Sequence, residues 1–123
     1  MSKDYVSKEL ARKLQEKGYP LKKVYRQDGA PFFYDLPQDH PDWSQCDAWY
    51  LPSIWEVLKW LREEKKIHVE IDIMKAYPEA KLTYWGYNIV LIDKYEVYHF
   101  EWNSNSYEQA ALAGIEYVID NLI

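Results

Sequence analysis

The 123-residue sequence predicts an α+β fold, an antiparallel sheet of three or more strands with helices packed on one face. Three observations carry that expectation. The segment "IHVEIDI" alternates strictly, as a half-buried strand does. Two further β-rich runs, "KLTYWGYNIVLI" and "YEVYHFEW", follow with short connections, which favours an antiparallel meander. Segments of helical period stand on both sides of this block and can cover one face of it. The predicted order is α-(ββ)-α-βββ-α in a single domain over 1–123, a length sufficient for one hydrophobic core.

The first helix is expected at about 4–17. Val6, Leu10 and Leu14 recur at helical spacing, Asp4 or Ser7 can cap the start, and Gly18 followed by Pro20 ends it. In "LKKVYRQDGAPFFYDL", Asp28-Gly29 signals a hairpin turn between two aromatic-rich runs. Pro31 cannot donate to a ladder, so the second arm should be short or at an edge. Then "DLPQDHPDWSQCDAWYLPS", residues 35–53, shows neither a sustained period of two nor one of 3.6, and reads as a long connection.

"PSIWEVLKWLREEKK" is the clearest helix. Pro52 or Ser53 opens it, Ile54, Val57, Leu58 and Leu61 form its apolar stripe, and Trp55 and Trp60 mark the stripe's edges. In the strand that follows, Ile67, Val69, Ile71 and Ile73 share one face and His68, Glu70 and Asp72 the other. The closing "SYEQAALAGIEYVIDNLI" is a helix with Ser106 and Gln109 at capping-box spacing. Ala111, Ile115, Val118 and Leu122, with Leu112 and Ile119, form its buried stripe. Ala110, Ala111, Ala113 and Gly114 keep it slim enough to lie close on a sheet.

Composition narrows the function. The net charge of −5 is unevenly spread: residues 1–27 hold eight Lys/Arg against three acids, whereas 27–58 hold no Lys or Arg but five aspartates and Glu56. From Glu70 onward only Lys75, Lys81 and Lys94 oppose nine acids. Affinity for nucleic acid comes largely from phosphate neutralisation, so this balance argues against a nucleic-acid partner. No apolar run approaches the roughly 20 residues that span a bilayer. "MSKDYVSKELARK" is charged throughout, unlike a signal peptide, and Cys46 is the sole cysteine, which together predict a cytoplasmic protein with no membrane partner.

Four constellations have residue types that can form a site. Cys46 with His40 has the residue types of a thiol nucleophile and its base, but Asp39, Asp42 and Asp47 surround it with negative charge that would raise a thiol pKa. Asp35, Asp39, Asp42 and Asp47 lack the alternating spacing and glycine of a calcium loop. His68, Glu70 and Asp72, with His99 and Glu101 on another strand, are metal-ligand and acid–base types. In a meander, however, their strands are not neighbours and would lie about 9–10 Å apart. The aromatic cluster Phe32, Phe33, Tyr34, Trp43, Trp49 and Tyr50 is the strongest of the four, since tryptophan and tyrosine serve both cores and contact surfaces. No Walker loop, GxGxxG, HExxH or GxSxG occurs, and no cofactor is expected.

"LQEKGY" at Leu14–Tyr19, "KWLRE" at Lys59–Glu63 and "YEQA" at Tyr107–Ala110 resemble segments of a group of small uncharacterised proteins of bacteriophages, prophages and gut Bacteroidales. The resemblance implies a phage or mobile-element context and transfers no catalytic residues. The sequence thus points to a non-enzymatic protein-binding or self-associating module. Its surface would be Phe32, Phe33, Tyr34, Trp43, Trp49 and Tyr50 with Asp39, Asp42 and Asp47, suited to a basic protein partner or a second copy. The alternative is a small enzyme or metal-binding protein using His68, Glu70, Asp72 and His99.

Overall fold

A computed structural model describes residues 4–24, 31–35, 47–75, 83–94 and 96–123. The chain divides into two compact units, Met1–Ser53 and Ile54–Ile123.

In the first unit, α1 spans Lys8–Glu16. Ser7 is its N-cap: the side-chain oxygen accepts the Leu10 N–H at 3.1 Å and so satisfies one of the donors a helix start leaves open. Gly18, at φ 96°, provides the left-handed residue that turns the chain out of the helix. Leu10, Ala11 and Leu14 are buried, as their spacing predicts. Strands β1, Phe32–Asp35, and β2, Asp47–Tyr50, pair antiparallel with Phe33 opposite Trp49.

Among the described residues, both β1 and residues 22–24 bond to β2, which closes the long connection as a strand. On the other edge of β2 the Val24 N–H donates to the Ala48 carbonyl and the Tyr50 N–H to the Lys22 carbonyl, each at 2.9 Å. A central strand flanked on both edges satisfies more backbone groups than an isolated two-arm hairpin, which explains the preference. The Asp28-Gly29 turn lies outside the described residues.

In the second unit, α2 (Ile54–Glu64) leads through a tight turn at Lys66 into β3 (Ile67–Lys75), β4 (Thr83–Leu91), a 3₁₀ turn (Ile92–Lys94), β5 (Glu96–Ser104) and α3 (Tyr107–Asn121). The sheet order is β3-β4-β5, antiparallel throughout, and α2 and α3 pack onto it. This is the predicted α+β class, with its meander and helical layer.

Register identifies the helix-covered face. Val69 lies opposite Ile89, Ile71 opposite Tyr87 and Ile73 opposite Trp85, and Val69, Tyr87 and Ile89 are buried. Ala110, Ala111, Gly114, Ile115, Val118 and Ile119 of α3 are buried as well. Each large aliphatic among them contributes roughly 1.5–3 kcal/mol by leaving water. Ser106 caps α3 by accepting the Gln109 N–H at 3.1 Å, while the Gln109 side chain reaches back to the Asn105 N–H at 2.7 Å. The box thus closes one residue earlier than the usual form.

Gly114 sets the helix-to-sheet distance. A Cβ there would stand 2.6 Å from Val69 Cγ1 and 3.2 Å from the Tyr87 ring. Gly114→Ala gains about 1 kcal/mol of helix propensity but meets an overpacking cost of about 1–3 kcal/mol. Net destabilisation of about 1 kcal/mol is expected in urea denaturation followed by circular dichroism; a stabilised variant would show that α3 is not held at that distance.

Candidate functional site

The structure does not gather the residues of the metal alternative. His68 lies opposite Val90 and Glu70 opposite Asn88, so both face away from the helices, and the Asn88 side-chain amide donates to Glu70 at 3.4 Å. His99 lies opposite Ile89 on the helix-covered face, where its ring stacks on Tyr117 at 3.9 Å with the planes parallel. Glu101, opposite Tyr87, shares that face. His68, Glu70 and Asp72 are thus separated from His99 by the thickness of the sheet as well as by β4. Among the described residues no group of three or more His, Cys, Asp or Glu could hold a metal ion.

The physical reason is a pair of β-bulges. Register shifts between Ile89 and Val90, and between Trp85 and Tyr87, interrupt the pairing of β5 with β4. A bulge resets which side chains face which way, so a residue's position along β5 does not give its face. Phe100, opposite Asn88, is thereby turned to the outer face and is 62% exposed.

His99 and Glu101 instead belong to a polar cluster beneath α3. The Tyr87 hydroxyl donates to Glu101 Oε2 at 2.6 Å. Burial first, and then the carboxylate accepting its proton, hold the Tyr87 phenol well above the ordinary tyrosine range. Such a phenol stays protonated and gives the carboxylate a fixed donor; its role here is to satisfy a buried hydroxyl.

Of the aromatic surface, Phe33 is buried at 5% exposure, whereas Phe32, Tyr34, Trp49 and Tyr50 are half-buried on the β1–β2 ribbon. Phe32 and Tyr34 meet edge to face at 5.6 Å, the Lys23 ammonium sits 5.6 Å from the Trp49 ring centre, and the Arg12 guanidinium donates to the Tyr34 carbonyl at 3.4 Å. These contacts fold the aromatics into their own unit. Asp47 pairs with Asp35 through the β1–β2 register. His40, Cys46, Trp43, Asp39 and Asp42 lie outside the described residues.

The second unit contains a cleft of about 400 Å³ lined by Trp55, Leu58 and Arg62 of α2, by His68, Val69, Glu70 and Ile71 of β3, and by Tyr107 of α3. Four consecutive strand residues line it although their side chains alternate between faces. The cleft therefore runs along the edge of β3, and β3 is an edge strand of its sheet.

The phase of the β3–β4 ladder determines what that edge presents. The Ile92 N–H donates to the Lys66 carbonyl at 3.0 Å, and the register runs unbroken from Ile67 to Lys75. Antiparallel bonding then alternates: Lys66, His68, Glu70 and Asp72 turn their backbone groups to β4, and Ile67, Val69, Ile71 and Ile73 turn theirs to the edge that no described strand pairs. Asp72 Oδ1 accepts the Ile73 N–H at 2.9 Å, as expected for an amide that β4 does not use. Val69 is nearly covered at 4% exposure, and Ile71 is half open, so Ile71 is the centre of the available edge.

The walls of the cleft differ along its length. Trp55, Leu58 and Arg62 form one stripe of α2 at i, i+3 and i+7. The Trp55 and Tyr107 rings lie 5.3 Å apart, and Tyr107 meets Trp85, the partner of Ile73, at 5.5 Å. The aromatic end of the cleft therefore flanks the Ile71–Ile73 end of β3. Arg62, on the last turn of α2 before Lys66, flanks the opposite end near His68. The sequence carries a faint sign of this second stripe, because Trp55 and Arg62 stand off the buried Ile54, Val57 and Leu61 line.

No protein-family model matches the chain, and neither a curated protein nor a solved structure matches it. Among the described residues, no helix is long and apolar enough to cross a membrane.

The Tyr87–Glu101 bond is testable through pH. Below about pH 10 the phenol is protonated in both folded and unfolded chains; above it the unfolded chain ionises first, so stability falls as pH rises. Wild type should lose stability progressively above about pH 10 in urea titrations, and Tyr87→Phe should flatten that slope while costing about 1 kcal/mol at neutral pH. Equal slopes for the two proteins would show that Tyr87 ionises freely.

Proposed function

We propose that this chain is a non-enzymatic protein-binding module that receives an extended segment of its partner along the free edge of β3. The observation that carries the reading is the outward backbone of the half-open Ile71 in a cleft walled by the Trp55–Leu58–Arg62 stripe. Added strands gain affinity from main-chain hydrogen bonds and specificity from pockets for alternate side chains, and this cleft offers both.

The two edges of the sheet are not equivalent in this respect. β5 exposes Val97, Tyr98 and Phe100, but its ladder is broken by two bulges, a device that discourages edge-to-edge pairing. β3 has no bulge in its register with β4 and no proline. The aromatic acidic segment from Phe32 to Tyr50 takes second place, because Phe33 is buried and its described neighbours pack within the ribbon. The resemblance of its segments to small phage and prophage proteins favours a mobile-element setting, and a sole cysteine, which allows no internal disulfide, fits a reducing compartment such as the cytoplasm.

The test is a nuclear magnetic resonance titration of 15N-labelled protein with a short Thr/Val strand peptide carrying one Phe. The expected shifts are at the Ile71 amide and the Trp55 indole N–H, with none along β5. The same peptide N-methylated at alternate residues, on the side that would face β3, should not bind. Equal binding of the N-methylated peptide, or shifts confined to β5, would eliminate strand addition at β3.

A further inference from the structure

We infer that the face of the β3-β4-β5 sheet turned away from α2 and α3 binds an extended segment of a protein partner carrying two arginines two residues apart. Register lays this face out as rows across the three strands. Glu70 lies opposite Asn88 and Asn88 opposite Phe100, while Asp72 lies opposite Gly86. A Cβ on Gly86 would point to this face, because its neighbours Trp85 and Tyr87 point to the helices. It would stand 2.7 Å from Trp102 Cδ2, so the Trp102 ring lies over Gly86 and completes the second row. Each row thus runs from a carboxylate on β3, across Asn88 or Gly86, to an aromatic ring on β5.

The face is open and supplies no cation of its own. Phe100 and Val97 are 62% and 58% exposed, and apolar surface left in water on a sheet face marks a contact site. Glu70 and Asp72 are exposed as well. Glu70 accepts the Asn88 amide and Asp72 the Ile73 N–H, and neither has an ion pair among the described residues. Positions 68, 70 and 72, positions 84, 86, 88 and 90, and positions 97, 100 and 102 hold no Lys or Arg.

The carboxylates therefore call for positive charge, and the rings select its shape. A guanidinium is planar, stacks on an aromatic face and donates to a carboxylate through a fixed fork, whereas an ammonium is a compact, strongly hydrated point charge. Strands β3 and β5 lie about 10 Å apart, so a guanidinium over β4 stands between the carboxylate and the ring of its row. The two rows are two residues apart along β3, about 7 Å, which is the spacing of alternate side chains on an extended ligand. A second copy does not meet these demands. Two copies face to face about a two-fold axis would lay β3 on β3 or β3 on β5, burying Glu70 and Asp72 with no cation opposite.

Fluorescence anisotropy with labelled Ser/Thr-rich peptides tests the inference. One peptide carries Arg-Thr-Arg, one Lys-Thr-Lys and one Arg-Thr-Thr-Arg, whose arginines leave opposite sides of an extended chain. Wild type should bind the first about fivefold more tightly than either of the others, the combined scale of exposed ion pairs and cation–π contacts. Glu70→Gln with Asp72→Asn should weaken Arg-Thr-Arg about tenfold, and Phe100→Ala should reduce the preference over Lys-Thr-Lys. All three positions are exposed, so each variant should keep the circular dichroism of wild type. Equal binding of the three peptides, unchanged binding by the carboxylate variant, or a full preference kept by Phe100→Ala would overturn the inference. A wild-type dimer in sedimentation equilibrium that Phe100→Glu dissociates would place a second copy on this face and overturn it too. The strand peptide of the β3 titration carries no arginine, so neither result decides the other.

Discussion

The close approach of α3 to the sheet at Gly114 is the constraint on which the second unit depends. Without a side chain at that position, the helix rests directly on Val69 and Tyr87. Ala110, Ala111, Ile115, Val118 and Ile119 bury around the same contact, and Tyr87 is held where its hydroxyl can reach Glu101. Close packing of this kind tolerates little change in volume, because interiors have the density of organic crystals. The contact also positions Tyr107 at the start of α3, against Trp55 and Trp85, so the helix that completes the core also closes one end of the cleft.

From that anchoring follows an asymmetry between the two sheet edges. β3 keeps a regular register with β4, and its outward groups lie beside α2 in a groove with one aromatic and one cationic end. β5 twists away through two bulges and turns Phe100 outward and His99 inward. A three-stranded sheet always has two edges, and proteins protect edges by different means. Here one edge is protected by irregularity, and the other is left regular inside a walled groove. That difference gives the proposed interaction a single location.

Much of the fold was legible in the residues because local signals agreed. Ser7, Ser106 with Gln109, and Gly18 mark helix ends by mechanisms confined to one turn. The helical stripe of Ile54, Val57 and Leu61 names its own buried face, and the alternation of β3 does so at Ile67 and Val69, while Ile71 is half open and Ile73 exposed. The arrangement of β1 was not legible, since Asp28-Gly29 is a sound local turn signal while the choice of β2 as partner depends on residues more than ten positions away. The candidate site was missed for a related reason. Trp55, Arg62, Ile71 and Tyr107 come from three separate elements, and no spacing within one segment brings them to mind together.

By itself the sequence determined the class of the fold, the identity of the sheet-covering helices, the small-residue surface of α3 and the charge balance. Each of these is a sum over short-range propensities or over composition, and so needs no knowledge of distant contacts. Only the tertiary structure decided which face of β5 carries His99, which strand β1 joins, and where an edge lies open. Those outcomes depend on register, and register is set by long-range pairing: a single bulge moves a side chain from one side of the sheet to the other. The histidines that looked like companions in the sequence are for that reason on opposite faces, and Arg62 borders the cleft.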